Sequence, residues 1–231
     1  MARPLRITLA GSVYHVTNRA AQGLVLFSNR TDYQAFYRLL VVARRRFGMR
    51  VIAFCLMPTH WHLVLWPSSD GAVSAFLHWI ATRHSLRFRR QTGTVGRGHV
   101  YQDRFHSFPV QTGRYYYNLL RYVEGNALRG HLVAKAEDWP WSSLFERING
   151  GELITGGPMD PLVDWTERVN ATLPRHDFKA IQRAERRGRP YGAPKWVVET
   201  ASCQSLDQTL GFRGRPRVEA GCRRPAKMRL P

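Results

Sequence analysis

The run Met57-Pro58-Thr59-His60-Trp61-His62-Leu63-Val64-Leu65-Trp66 constrains this chain more than any other stretch. It is rich in residues that favour strands, and Pro58-Thr59 interrupts it where a chain would turn back on itself. Arg50 to Met57 before the break and His60 to Trp66 after it therefore read as antiparallel neighbours. In a strand, residues i and i+2 point to the same face, so the His60 and His62 imidazoles project side by side. Two imidazoles in an apolar strand fill a core poorly and make half of a metal site.

The surrounding pattern supplies the fold. Val13 to Thr17 reads as a first strand. Thr31 with Gln34 suggests a capping box, and Tyr33, Phe36, Tyr37 and Leu40 give one apolar helical face ending before Gly48. A second helix is expected from about Ala72 to Arg90, with Val73, Phe76, Leu77 and Ile80 inward and Arg83, Arg87 and Arg90 as an outer basic ridge. After the Gly93–Gly98 loop, His99 to Val110 reads as a fourth strand and Thr112 to Arg129 as a third helix. This order predicts an α+β, ferredoxin-like sandwich: an antiparallel sheet with two helices on one face and the third helix added.

Charge bounds the partner. Lys and Arg number 35 against 16 Asp and Glu, giving +19 and a pI near 11.0. Such a surplus favours a polyanion, above all nucleic acid, and arginine's planar fork suits phosphate. Residues 175–231 hold fourteen basic and five acidic residues, so 151–231 is expected as a basic, partly helical or disordered DNA-binding tail after a domain over 1–150. Arg187-Gly188-Arg189-Pro190 recurs as Arg213-Gly214-Arg215-Pro216, a tetrapeptide similar to the core of a minor-groove AT-hook. Arg104 is a further candidate phosphate clamp. No run of eighteen apolar residues predicts a membrane span, no secretory signal opens the chain, and three dispersed cysteines fit a reducing, cytoplasmic (nucleoid-associated) setting.

The third helix, Arg114 to Ala127, carries four tyrosines. Tyr116, Leu119, Leu120, Val123 and Ala127 share its apolar face. Tyr122 and Asn126, four apart, stack at the margin of that face. Tyr122 alone among the four has a metal-capable residue at i+4.

His60-Trp61-His62, Tyr101-Gln102-Asp103-Arg104-Phe105, Tyr122-Val123-Glu124-Gly125-Asn126-Ala127-Leu128-Arg129 and Glu137-Asp138-Trp139-Pro140-Trp141-Ser142-Ser143 occur here in that order. With them the chain resembles the single-tyrosine HUH transposases, in particular the REP-associated tyrosine transposases. The resemblance implies His60 and His62 as metal ligands, Asn126 as the third, and Tyr122 as the nucleophile. It implies a Mg²⁺ or Mn²⁺ cofactor and a single-stranded or hairpin DNA partner. It leaves open a monomer or a homodimer exchanging tyrosine helices. Ala127, Gly130-His131 and Thr59 depart from the family pattern without removing any of these groups.

The chemistry suits the residues. Imidazole and amide ligands are neutral, so a divalent cation keeps its full charge for a phosphodiester. A phenol attacking phosphorus gives a 5′-phosphotyrosine and a free 3′-OH, which keeps the bond energy for rejoining. An HxHxDH metallohydrolase is excluded because Val64 stands where its Asp would be. The expected function is a metal-dependent single-strand DNA endonuclease and strand-transferase. The alternative is a non-catalytic hairpin-binding relative.

Overall fold

The computed structural model describes residues 7–21 and 23–211. Its centre is a four-stranded antiparallel sheet: β1 (Val13–Arg19), β2 (Arg50–Met57), β3 (His60–Trp66) and β4 (His106–Val110), in the order β2-β3-β1-β4. That order is the ferredoxin-like one expected. β1 pairs with β3 in the register Thr17↔His62 and Arg19↔His60, and β3 pairs with β2 through Cys55↔His62 and Met57↔His60.

One sheet face carries Tyr14, Val16, Phe54, Leu56, Trp61, Leu63 and Leu65. It is sealed by α1 (Arg30–Phe47) and α2 (Ala72–Gln91) through Phe36, Leu40, Phe76, Leu77 and Ile80. Each such side chain taken from water contributes roughly 1.5–3 kcal/mol. Trp61 and Tyr101 are both buried here, the Trp61 Nε1–H donating to the Tyr101 hydroxyl at 3.1 Å.

The other face carries Ala53, Cys55, Met57 and Val64. It packs against α3 (Arg114–Glu124), α4 (Asn126–Arg129), α6 (Trp165–Asn170) and α7 (Arg175–Arg187). The third helix thus makes a third layer rather than extending the first. Leu153 joins the first core, and Trp165, Ile181, Ala184 and Tyr191 join the second. The Tyr191 backbone bonds on to the sheet through Pro109 and Gln111, and α8 (Pro194–Cys203) follows. Residues 151–211 are therefore built into the same body. α5 (Ser143–Asn149) is capped by Ser142, whose Oγ accepts from the Phe145 N–H. The Trp139 Nε1–H reaches the Leu56 carbonyl at 3.0 Å, so the Glu137–Ser143 motif fastens the β2 edge.

Three local expectations change. The cap of α1 is Asn29, whose side chain accepts from the Asp32 N–H, instead of Thr31. Residues 99–105 are irregular, with one bridge from Tyr101 to Ala20, and β4 begins only at His106. The third helix divides at Gly125. A Cβ there would lie 3.0 Å from the Arg121 carbonyl and 3.2 Å from that of Val169, so glycine admits the close approach of α6.

Candidate active site

β1 and β3 build the floor. Because opposed residues of an antiparallel pair share a face, the β1–β3 register sets Thr17 beside His62 and Arg19 beside His60, with His15 on the same face. The two β3 imidazoles stand 5.0 Å apart, centroid to centroid, at 83°. Nδ1 of His62 lies 2.9 Å from Nε2 of the fully buried His15. Nδ1 of His60 lies 3.3 Å from the Thr59 hydroxyl. Both contacts leave Nε2 as the nitrogen each ring can offer to a cation. Burial, with the charge of Arg19 adding, pushes His60 down to about 4. Burial drives His62 well below its ordinary value, and His15 to about 3. All three are neutral at pH 7, the state in which an imidazole can bind metal.

α3 supplies the phenol. Glu124, fully buried, accepts from Ser143 Oγ at 2.6 Å, Arg147 Nε at 2.9 Å and Trp165 Nε1 at 2.6 Å. Ser143 and Arg147 also bond the β2 carbonyls of Phe54 and Ile52, so Glu124 ties α3 to the sheet edge, and Tyr122, about 200° round the helix axis, projects elsewhere. The Tyr122 ring meets His62 edge to face at 6.0 Å and His15 at 6.4 Å. Its hydroxyl donates to Glu185 Oε2 on α7 at 3.1 Å. Burial, then the Glu185 carboxylate, raises the phenol above its ordinary value. The Arg129 guanidinium stands 4.7 Å from the Tyr122 ring centroid and donates to the Tyr122 carbonyl.

The predicted residues separate into two groups. His60, His62 and Tyr122 come together. Asn126 opens α4 on the turn after Tyr122 and is half-buried. Among the described residues, no three His, Cys, Asp or Glu side chains converge on one point. Arg83, Arg87 and Arg90 are exposed on α2, in the layer behind the opposite sheet face. Arg104 is exposed in the irregular 99–105 segment, not in a strand, and lines a groove of about 610 Å³ with Leu77, Ser85 and His99. Arg187 closes α7 and donates to the Gly211 carbonyl, while Gly188 caps the helix at φ 68°. Arg187 is therefore helical rather than extended. Arg213 and Arg215 lie outside the described residues.

His15, Arg19, Arg129 and Glu185 were not singled out from sequence. The β1 alternation His15, Thr17, Arg19 was a usable signal for the first two. Glu185 had none, being 63 residues from its partner.

His62, buried, and His60, half-buried, thus share the sheet face on which the Tyr122 ring packs. The family model described as "Transposase IS200 like" matches residues 9–126, just over half of the sequence, and the chain belongs to that family. Within it, the chain resembles the REP-associated tyrosine transposases. That of Escherichia coli (strain K12) is 22% identical over 169 residues, covering 73% of this chain and 87% of that protein. A solved REP-associated tyrosine transposase bound to a REP hairpin shares the fold, with a TM-score of 0.53 at 20% identity over 69% of this chain and 94% of that one. A putative transposase from Deinococcus radiodurans r1 aligns with a TM-score of 0.37 at 14% identity over 48% of this chain and 88% of that one. No helix among the described residues is long and apolar enough to cross a membrane.

Proposed function

We propose that this transposase is a metal-dependent single-strand DNA endonuclease and strand-transferase that forms a 5′-phosphotyrosine at Tyr122. The observation that carries the reading is the 6.0 Å contact between the Tyr122 and His62 rings, with His60 beside them on one strand face. Its DNA would be a hairpin-forming repeat with single-stranded flanks, by analogy with the hairpin in the related structure.

The donor set fits a cation: two neutral imidazoles with Nε2 available, and the Asn126 amide one helical turn after the nucleophile. Mg²⁺ or Mn²⁺ there would polarise the scissile phosphate and steady the departing 3′ oxygen. The chain's own residues do the rest. Arg19, beside His60, is placed to hold a phosphate oxygen. Arg129, against the Tyr122 ring, favours the negative charge that develops on the phenol oxygen. The packed helix holds the nucleophile in one orientation, which lowers the entropic cost of attack.

The test incubates labelled hairpin DNA carrying a single-stranded flank with the protein and Mn²⁺. A covalent protein–DNA adduct that vanishes in Tyr122→Phe, with hairpin affinity retained, supports the reading. Tight binding without any adduct, indifferent to metal, would instead make this a hairpin-binding relative that does not cut.

A further inference from the structure

Resting on the Tyr122 nuclease reading, we propose that Glu185 is the general base of strand cleavage, taking the phenolic proton of Tyr122 as its oxygen bonds to phosphorus. Glu185 lies on α7, well beyond the 9–126 segment that defines the family match, and it touches the reacting atom itself.

Geometry comes first. The 3.1 Å separation of Tyr122 Oη and Glu185 Oε2 falls within the 2.6–3.2 Å or so that direct proton transfer requires. The phenol donates and the carboxylate accepts, so the contact already has the polarity of the transfer. α7 is packed against the site: Ile181 and Ala184 are buried in the core that includes Tyr122, Phe178 packs on the Tyr122 ring at 5.7 Å, and Gly188 closes the helix. Burial raises the Glu185 carboxyl above its ordinary value, opposed by the Tyr122 hydrogen bond and by Arg19. Burial thus makes it a better proton acceptor than a surface carboxylate.

The step balances. The Tyr122 oxygen bonds to phosphorus, its proton passes to Glu185, and the P–O3′ bond breaks. The 3′ oxygen leaves with the electron pair and takes a proton from solvent. On rejoining, an incoming 3′-OH releases its proton to solvent and attacks phosphorus. Glu185 then returns its proton to the departing Tyr122 oxygen, and the site is reset.

The same contact has a rival meaning. A carboxylate beside a phenol opposes its ionisation, and a pure electrostatic brake would speed cleavage when removed. A base would slow it, so the two roles predict opposite signs. The experiment measures the rate of adduct formation with hairpin DNA and Mn²⁺ for wild type, Glu185→Gln and Glu185→Ala, together with hairpin affinity. A second readout, free of DNA and metal, is the Tyr122 ¹³Cζ NMR shift, assigned by comparison with Tyr122→Phe.

The base role predicts both variants slower by about 10²–10⁴-fold, with hairpin affinity unchanged and the Tyr122 resonance moved in Glu185→Gln. Rates equal to or above wild type would overturn it, as would an unmoved resonance. A resonance that moves in Glu185→Gln while wild-type protein forms no adduct would remove the nuclease reading, and this inference with it.

Discussion

The two faces of this sheet are cut from the same strands yet do opposite work. On β1, Tyr14 and Val16 enter the α1/α2 core, while His15, Thr17 and Arg19 point the other way. On β3, Trp61, Leu63 and Leu65 face the helices, while His60 and His62 face Tyr122. The α1/α2 face is mostly apolar, and its buried polar groups are paired: the Tyr101 hydroxyl accepts from Trp61 and lies 2.7 Å from His84 Nδ1, and the Tyr14 hydroxyl donates to Gln204 Oε1 at 3.1 Å. The α3 face buries imidazoles, a phenol and a guanidinium against one another, leaving His15 Nδ1 buried without a hydrogen-bond partner among the described residues. Buried polar groups without full satisfaction cost stability. The first face is built to stabilise the fold, and the second gathers the candidate site.

Substitutions on either side test that division. The largest effect is expected from His62→Ala, which removes one of the proposed metal donors. Adduct formation should fall by about 10³-fold or more, and calorimetry should find Mn²⁺ binding lost while the fold survives. Retained cleavage would place the metal elsewhere. Phe36→Ala on the opposite face should cost about 3–5 kcal/mol in urea unfolding, because Phe36 packs on Phe27, Trp61 and His84. The adduct rate per folded molecule should not change. A slowed chemical step would show the faces to be coupled.

His15→Ala tests how the chemical face is organised. Metal on His62 Nε2 requires the proton on Nδ1, where the 2.9 Å contact lets His15 accept it. Removing that partner should weaken Mn²⁺ binding 10–100-fold or so, read by calorimetry; unchanged affinity would make His15 mere packing.

pH gives the smallest effect. Burial depresses His84 to about 4 against 6.5 when unfolded. Below pH 6.5 the unfolded chain binds the extra proton, so stability falls as pH drops toward 4. Between pH 7 and 5 this removes about 2 kcal/mol. Urea midpoints should show a shallower pH dependence in His84→Gln than in wild type.

Where apolar spacing was regular, the fold was legible from the sequence. The β2–β3 pair, α1, α2 and the strand order followed from it, and so did the side-by-side placement of His60 and His62. Failures had local causes. Residues 99–105 alternate like a strand, yet β1 pairs in register only with His106 to Val110. Gly125 reads as helical, but α6 approaches too closely for an unbroken helix to be the only constraint there. Arg187-Gly188-Arg189-Pro190 looks like an extended motif because its composition conceals a helix cap. In the site, Tyr122 could be singled out from sequence by its i+4 partner, Asn126. His15 is 47 residues from the ring it touches, and Glu185 63 from its phenol. Contacts of that range come from the fold and leave no local spacing to read.

The most direct test is to locate the covalent link. Trypsin cuts after Arg114, Arg121 and Arg129, which puts Tyr115, Tyr116 and Tyr117 on one peptide and Tyr122 on the next, Tyr122 to Arg129. After reaction with hairpin DNA and Mn²⁺, followed by nuclease trimming, mass spectrometry should find the nucleotide remnant on the Tyr122 peptide. A remnant on the Tyr115–Arg121 peptide, or on neither, would contradict the account.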